Sequence, residues 1–382
     1  MSDADEVIPY ARQCIDESDI ESVREALQSE FLTQGPRQEW FESALQEVTG
    51  ARYAVAVSSG TAALDLTVKG LGIEVGQLGI TSAITFVASA NCLKTQGAEV
   101  AFADVNPETG LSEAEHFEAA GKDPAILIPV SYAGACPNLV DIAGYARLKR
   151  AFVLEDASHS IGSVYGDGYR SAGCEHSDAA TLSFHPVKQI CCAEGGAVLT
   201  NDETLARRVR RLRSHGIDRP LDLIEKEGPW AYDQVELGGN FRLTDMQAAL
   251  GVSQLNRLPE FLEARRTIAR RYDAAFGDEI FDGLFDRPEF DEGSAWHLYV
   301  IRFRDSDMRK KAYSYLGDKG IRTQVHYRPV YRNTYYGYSD EDGLPGSEAF
   351  YASCLSLPLF PLLTVGQQER VIDALRVFCG TI

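Results

Sequence analysis

Ala179-Ala180-Thr181-Leu182-Ser183-Phe184-His185-Pro186-Val187-Lys188 carries a short apolar, β-like run straight into a lysine, with Glu194-Gly195-Gly196 just beyond. Upstream, Ala151-Phe152-Val153-Leu154-Glu155-Asp156-Ala157-Ser158-His159 runs in the same way into an aspartate. Around these two stretches, residues 53 to 200 alternate strand-like runs (Tyr53 to Val57, Glu99 to Ala103, Ala125 to Val130, Ala151 to Leu154, Ala179 to Phe184 and Ala197 to Thr200) with helix-like segments. That alternation predicts an α/β fold with a largely parallel sheet covered by helices on both faces.

Outside this region the pattern changes. Asp19 to Gln28 and Pro36 to Val48 read as helices, the second opened by Gly35-Pro36 and carrying Trp40, Phe41, Leu45 and Val48 on one apolar face. Thr244-Asp245-Met246-Gln247 has the form of a capping box and starts a helix to about Leu258, followed by a helical stretch from Glu260 to Phe276. Trp296 to Phe303 reads as an alternating strand, then comes a helix, and Thr323-Gln324-Val325-His326-Tyr327 reads as another strand. The expected division is an N-terminal segment with a large domain over residues 1–250 and a small C-terminal domain over residues 251–382. No internal repeat, low-complexity linker or coiled-coil heptad is visible.

The 382 residues are 45% hydrophobic, enough for a large core, and 56 Asp and Glu against 37 Lys and Arg give a formal charge of -19. That balance argues against a nucleic-acid or anionic-membrane surface, so any anionic ligand needs a local basic or amide-lined pocket. The eight cysteines are scattered, without a CxxC pair or zinc spacing, which points to reduced thiols, a cytoplasmic setting and no metal site. The acidic start Met1-Ser2-Asp3-Ala4-Asp5-Glu6 lacks an apolar run, and no stretch of eighteen apolar residues occurs, so neither an export signal nor a membrane span is expected.

Candidate chemistry gathers at the ends of the strand-like runs. Tyr53 to Val57 leads into Ser58-Ser59-Gly60-Thr61 and a helix, which gathers amides and hydroxyls at a helix N-terminus; the arrangement suits a phosphate and equally serves as turn punctuation. Neither a Walker A lysine nor the three glycines of a dinucleotide loop follows, which disfavours a nucleoside triphosphate or a nicotinamide cofactor. Asp156 should emerge at the carboxyl edge of the sheet, where it either caps the next turn or keeps a pyridine nitrogen protonated. Lys188 is either a solvated surface residue or a partly desolvated amine that condenses with carbonyls, and apolar Pro186, Val187 and Ile190 favour the second reading. An amine for an aldehyde and a carboxylate for a ring nitrogen is the pairing that pyridoxal phosphate (PLP) requires. His159 suits the phenolic oxygen of such a ring or a core hydrogen bond.

Read in order, Phe31-Leu32-Thr33-Gln34-Gly35-Pro36, Ser59-Gly60-Thr61-Ala62-Ala63-Leu64, Ile84-Thr85-Phe86-Val87-Ala88, the Asp156 and Lys188 motifs, and Gly239-Asn240-Phe241-Arg242-Leu243-Thr244-Asp245 resemble the DegT/DnrJ/EryC1/StrS sugar aminotransferases nearly end to end. The resemblance implies the PLP-dependent transferase fold type I, with a mostly parallel seven-stranded sheet in the large domain and a smaller α+β C-terminal domain. It implies PLP as cofactor, with pyridoxamine phosphate as its intermediate form, and a nucleotide-linked 4-keto sugar and L-glutamate as substrates. Lys188 is implied as the lysine that joins the cofactor aldehyde and Asp156 as the partner of the ring nitrogen. Phe86 is implied as the aromatic against the ring, His159 beside the cofactor, and Ser59, Gly60, Thr61 and Ser183 as holding the phosphate. Asn240 is implied to reach that phosphate from the second subunit of a homodimer with shared active sites. Tyr10, Thr33, Asn240, His326 and Tyr327 correspond to positions near the sugar nucleotide.

Within the family, Phe31 to Gly35, Ser183-Phe184-His185, Arg213-Ser214-His215-Gly216 and Gln324-Val325-His326-Tyr327 are most similar to one branch. That branch aminates C4 of a UDP-linked 4-keto-6-deoxy-N-acetylhexosamine on the way to pseudaminic acid. Enzymes for other UDP- or dTDP-4-keto sugars share much of this text. A related dehydratase branch has histidine in place of Lys188, and a non-catalytic PLP-binding sensor is the remaining alternative. Cys191-Cys192 departs from the small hydroxyl residues that relatives often carry after the lysine.

Overall fold

The computed structural model describes residues 6–337 and 343–380; the acidic start at residues 1–5 lies outside them. The chain opens with α1 (Glu17–Gln28) and α2 (Pro36–Thr49). Asp16 caps α1 by accepting the N–H groups of Ser18 and Asp19, while Asp19 accepts the N–H of Asp16 in return, so donors of the first turn are satisfied. Pro36 starts α2, and Gly50 ends it at φ 86°, a left-handed conformation that costs glycine nothing. Phe41 and Leu45 are buried as the pattern predicts, but Trp40, expected on the same face, is 55% exposed with the Arg37 guanidinium over its ring. One residue turns a helix by about 100°, which carries Trp40 off the buried stripe of Phe41 and Leu45.

Then β1 (Tyr53–Val57), α3 (Gly60–Leu71), β2 (Leu78–Ser82), α4 (Ala88–Thr95), β3 (Glu99–Ala103), α5 (Ala114–Ala120), β4 (Ile126–Ile128), α6 (Leu139–Lys149), β5 (Phe152–Asp156), β6 (Ala179–Ser183), β7 (Gly196–Thr200) and α7 (Glu203–Arg213) build the large layer structure. The seven strands form one sheet in the order β1-β7-β6-β5-β4-β2-β3. Only β7 runs against its neighbours β1 and β6; the remaining pairs are parallel. All five residues of β7 are buried, as expected where helices cover both faces.

A short excursion, β8 (Ile217–Asp218), α8 (Leu221–Glu227) and β9 (Asp233–Gln234), precedes α9 (Asp245–Asn256) and α10 (Leu258–Ala275). The expected capping box of α9 is present: Thr244 Oγ1 accepts the N–H of Gln247 at 3.2 Å, and Gln247 Oε1 accepts that of Thr244 at 3.1 Å. Beyond lie β10 (Phe285–Asp286), β11 (Tyr299–Phe303), α11 (Ser306–Asp318), α12 (Pro345–Ser353), β12 (Cys354–Leu357) and α13 (Val365–Gly380). Here β10, β11 and β12 make a second, antiparallel sheet packed with helices around Tyr272, Phe276, Tyr299, Phe303 and Phe378, which gives the C-terminal part its α+β character.

Two strand expectations are corrected in this part. The strand expected from Trp296 begins at Tyr299, because the buried Arg265 Nη1 donates to the carbonyls of Trp296, His297 and Leu359, each at 3.3 Å, and holds the preceding turn out of the ladder. Thr323 to Tyr327 joins no sheet beyond the single Gln324–Ser356 bridge. Its backbone bonds elsewhere: the Tyr132 hydroxyl donates to the His326 carbonyl at 2.6 Å, which draws the segment toward the carboxyl edge of the large sheet.

Candidate active site

Strand register decides which side chains meet. Asp156 pairs with Thr181, Ser183 with Gly196 and Gly196 with Val57, so the ends of β5, β6 and β1 share one edge of the sheet. A cavity of about 410 Å³ opens there, of a size that suits a small ligand. Tyr10, Ser59, Gly60, Thr61, Phe86, Asp156, His159, Ser183, Lys188, His326 and Tyr327 all line it. Thr33 and Asn240 do not: both are exposed, Thr33 in a bridge with Thr244 and Asn240 in a bridge with Ser214.

Lys188 lies in a tight connection between β6 and β7. Phe184 N–H donates to Gly195 O, Cys192 N–H to Phe184 O and Lys188 N–H to His185 O, each at 2.9 Å. Phe184 anchors this loop edge-on against Phe41, with ring centroids 5.1 Å apart. Cys191 and Cys192 are both buried, and a Cβ on Gly251 would lie 2.8 Å from Cys192 Sγ, so the cysteine pair fills core space under the loop. Lys188 is half-buried and lines the cavity. Burial is the main cause that lowers its amine from 10.5 to about 8, opposed by the Asp156 carboxylate and aided by the Arg265 guanidinium.

Asp156 is only 5% exposed, yet its carboxylate is well supplied with donors. Oδ1 accepts from Ser158 Oγ at 2.6 Å and Ser158 N–H at 3.2 Å, and Oδ2 accepts from Ser89 Oγ at 2.7 Å. Both carboxylate oxygens are therefore hydrogen-bonded in a buried position.

At the third corner, Ser59 caps α3 by accepting the N–H of Ala62 at 3.1 Å. The first intrahelical bond runs from Ala63 N–H to Ser59 O, which leaves the amides of Gly60 and Thr61 ahead of it for an anion. Glycine is required for this approach: a Cβ on Gly60 would stand 2.9 Å from Ser183 Cβ, and one on Gly196 would stand 2.3 Å from the Ser59 carbonyl oxygen.

The wall opposite is aromatic. His159 Nε2 lies 3.2 Å from the Tyr327 hydroxyl, and its ring packs 4.2 Å from that of His297. Burial drives His159 and His297 well below the ordinary histidine range and His326 to about 3, while the Lys188 charge adds to each shift; the imidazoles are therefore neutral near pH 7. In the tautomer whose Nε2 accepts the Tyr327 hydroxyl, His159 Nδ1 carries the hydrogen, and this buried atom has no hydrogen-bond partner among the described residues. Phe86, 58% exposed, presents its ring to the cavity 6.4 Å from that of Tyr327.

These groups fit PLP. An enclosed amine, a carboxylate with an acceptor site left over, a helix N-terminus beside Ser183, a flat apolar ring and an orphaned imidazole nitrogen match an aldehyde, a pyridine nitrogen, a phosphate, a ring face and a phenolic oxygen. Thr85, Ser89, His185, Glu194 and His297 also belong to the site or touch it, without having been assigned a role from sequence. Thr85 stands next to Phe86 in Ile84-Thr85-Phe86-Val87-Ala88. Ser89 carries no sequence signal of its own, and His297 was hidden inside the strand expected from Trp296.

Comparison with known proteins gives a consistent result. The DegT/DnrJ/EryC1/StrS aminotransferase family profile matches residues 13–376. The spore coat polysaccharide biosynthesis protein SpsC of Bacillus subtilis (strain 168) is 35% identical over 380 residues, covering 97% of this chain and 96% of that protein. Among solved structures, Helicobacter pylori PseC, an aminotransferase involved in the biosynthesis of pseudoaminic acid, superposes with a TM-score of 0.91 at 30% identity over 99% of this chain and 100% of its own. Spr1654 from Streptococcus pneumoniae, solved in a PMP-form, reaches a TM-score of 0.90 at 27% identity over 98% of this chain and 99% of its own.

Proposed function

The chain belongs to the DegT/DnrJ/EryC1/StrS aminotransferase family and is a PLP-dependent sugar aminotransferase of fold type I, and from that premise we propose that it moves the amino group of L-glutamate to C4 of a UDP-linked 4-keto-6-deoxy-N-acetylhexosamine. The products are 2-oxoglutarate and the 4-amino sugar nucleotide. The observation that carries this reading is the single cavity holding Lys188, Asp156 and the N-terminus of α3 together at the sheet edge. Likeness to PseC, a protein of pseudoaminic acid biosynthesis, supports the choice of sugar. A second reading, another UDP- or dTDP-linked 4-keto sugar, is supported by the likeness to SpsC, a protein of spore coat polysaccharide biosynthesis.

When bound, PLP supplies an aldehyde carbon that accepts the migrating amine and a protonated ring that takes up electrons from the reacting carbon. Lys188 holds the cofactor at rest and, once released by the donor amine, acts as the base that takes the α-proton of L-glutamate. In the second half the same amine returns a proton as the C4 amine of the sugar forms, which gives ping-pong kinetics. With the cofactor bound, Asp156 would keep the ring nitrogen protonated, Phe86 would lie against the ring, and His159 would hydrogen-bond the phenolic oxygen through Nδ1. Ser59, Gly60, Thr61 and Ser183 would hold its phosphate through hydroxyls and helix amides. Tyr10, His326 and Tyr327 line the side where the sugar enters, and Tyr10 packs its ring 5.6 Å from that of His326.

Thr33 and Asn240 enter the reading through a second copy of the chain. Large apolar side chains such as Phe31, Leu32, Trp40, Trp230 and Tyr232 are exposed, and Asn240 is the residue a second copy would contribute to the phosphate. Among the described residues no helix is long and apolar enough to cross a membrane. The free state of all eight cysteines supports a cytoplasmic site of action. The test is incubation of the PLP-loaded protein with L-glutamate and a panel of UDP- and dTDP-linked 4-keto sugars. Release of 2-oxoglutarate and an NMR-defined 4-amino product only with the UDP-N-acetyl sugar supports the proposal; preference for another sugar assigns the second reading.

A further inference from the structure

Proton counting around Asp156 shows how its free acceptor site is held. Its carboxylate offers about four lone-pair positions. Two on Oδ1 are taken by Ser158 Oγ and N–H, and one on Oδ2 by Ser89 Oγ, which leaves a single position on Oδ2. Ser89 is fully buried and has one hydroxyl proton, with three acceptors in range: Asp156 Oδ2 at 2.7 Å, Thr85 Oγ1 at 2.8 Å and the Phe86 carbonyl at 3.3 Å. The carboxylate is the charged and nearest acceptor, so it takes the proton. Thr85 must then donate to Ser89. The result is a one-way chain of hydroxyls, Thr85 to Ser89 to Asp156.

The chain also has a mechanical side. The Ser89 N–H donates to the Phe86 carbonyl at 3.2 Å, so the residue that fixes Asp156 also closes the turn that presents the Phe86 ring. We propose that Ser89, with Thr85 behind it, is a positioning residue that keeps Oδ2 of Asp156 aimed at the cofactor's ring nitrogen while locking the Phe86 turn to the same carboxylate. The inference rests on the reading of Asp156 as the partner of that nitrogen. Without the Ser89 donor, the anion on Oδ2 loses a charge-assisted hydrogen bond, and the proton shared with the ring nitrogen shifts toward the carboxylate.

The experiment is 15N NMR at one pH of the holoprotein loaded with PLP labelled at the ring nitrogen. Wild type should give the shift of a protonated nitrogen. Ser89→Ala should move the signal toward the unprotonated position, Thr85→Val should move it the same way by less, and Ser89→Thr should restore it. Thr85→Val leaves Ser89 and the core in place, so it tests the chain even if Ser89→Ala folds poorly. Asp156→Asn separates the two claims. If Asp156→Asn moves the signal while Ser89→Ala and Thr85→Val leave it at the wild-type position, the hydroxyl chain is overturned and the Asp156 reading stands. If Asp156→Asn itself leaves the signal unmoved, both fall.

Discussion

An amine that loses its proton near neutrality is the chemical asset of this site. Lowered to about 8 chiefly by burial, Lys188 is roughly one-tenth neutral at pH 7 and nine-tenths neutral at pH 9. The sign follows from the cause: burial disfavours the charged form, so the proton leaves at lower pH than from a solvated lysine. Stopped-flow absorbance of PLP capture by the cofactor-free protein should therefore rise roughly tenfold from pH 7 to pH 9 and flatten above. A rate still climbing steeply past pH 10 would mean an ordinary, solvated amine. Lys188→Ala should fold, lose the visible absorbance of lysine-bound cofactor and lower turnover about a thousandfold or more. Asp156→Asn should still bind PLP but slow the half-reaction with L-glutamate by roughly a hundredfold, measured in single turnovers. Lys188 and Asp156 were legible in the sequence because Asp156 ends one apolar strand-like run and Lys188 follows shortly after another, β6. Ser89 was not, since a serine inside a helix gives no local sign that it faces a carboxylate 67 positions away.

Among the elements, the phosphate cradle is the most demanding. α3 can start beside Ser183 only because Gly60 and Gly196 have no side chains, and the nearest obstacle to a Cβ at Gly196 is a backbone oxygen that cannot swing aside. Gly196→Ala should cost about 2 kcal/mol of stability and weaken PLP binding at least tenfold, as read by thermal unfolding and cofactor titration. Unchanged affinity would show that the cradle can shift. Close approach also explains why β2 was not read as a strand: Gly79 interrupts its β-branched pattern, and it is glycine because a Cβ there would meet Leu93 of α4 at 2.4 Å. Thr323 to Tyr327 misled in the opposite direction. Alternating β-formers describe an extended segment, but its partners are Tyr132 and Ser356, which no local pattern reveals.

At the scale of the molecule, the alternation of strands and helices between residues 53 and 200 made the large sheet legible, whereas of the second sheet only β11 was, because β10 and β12 are two and four residues long and carry no pattern of their own. Where the first unit ends was less so, and we propose the division at residues 1–250 and 251–382, which falls within α9. The proposed homodimer comes from the resemblance around Asn240, and exposed aromatics such as Trp230, 73% exposed, leave apolar surface that a second copy would cover. Light scattering should give twice the chain mass. Mixing Asn240→Ala with Lys188→Ala subunits should recover part of the activity that each variant lacks alone, whereas a strict sum of the two residual activities would argue that each site is built from one chain.

All of these expectations depend on which amine holds the cofactor. Borohydride reduction of the PLP-loaded protein, followed by peptide mass spectrometry, fixes the cofactor to that amine and reports its position. The label should appear on the peptide carrying Lys188 and be absent from the other lysines. A label on a different lysine, or an unlabelled Lys188 peptide from protein that shows the lysine-bound absorbance, would contradict the account.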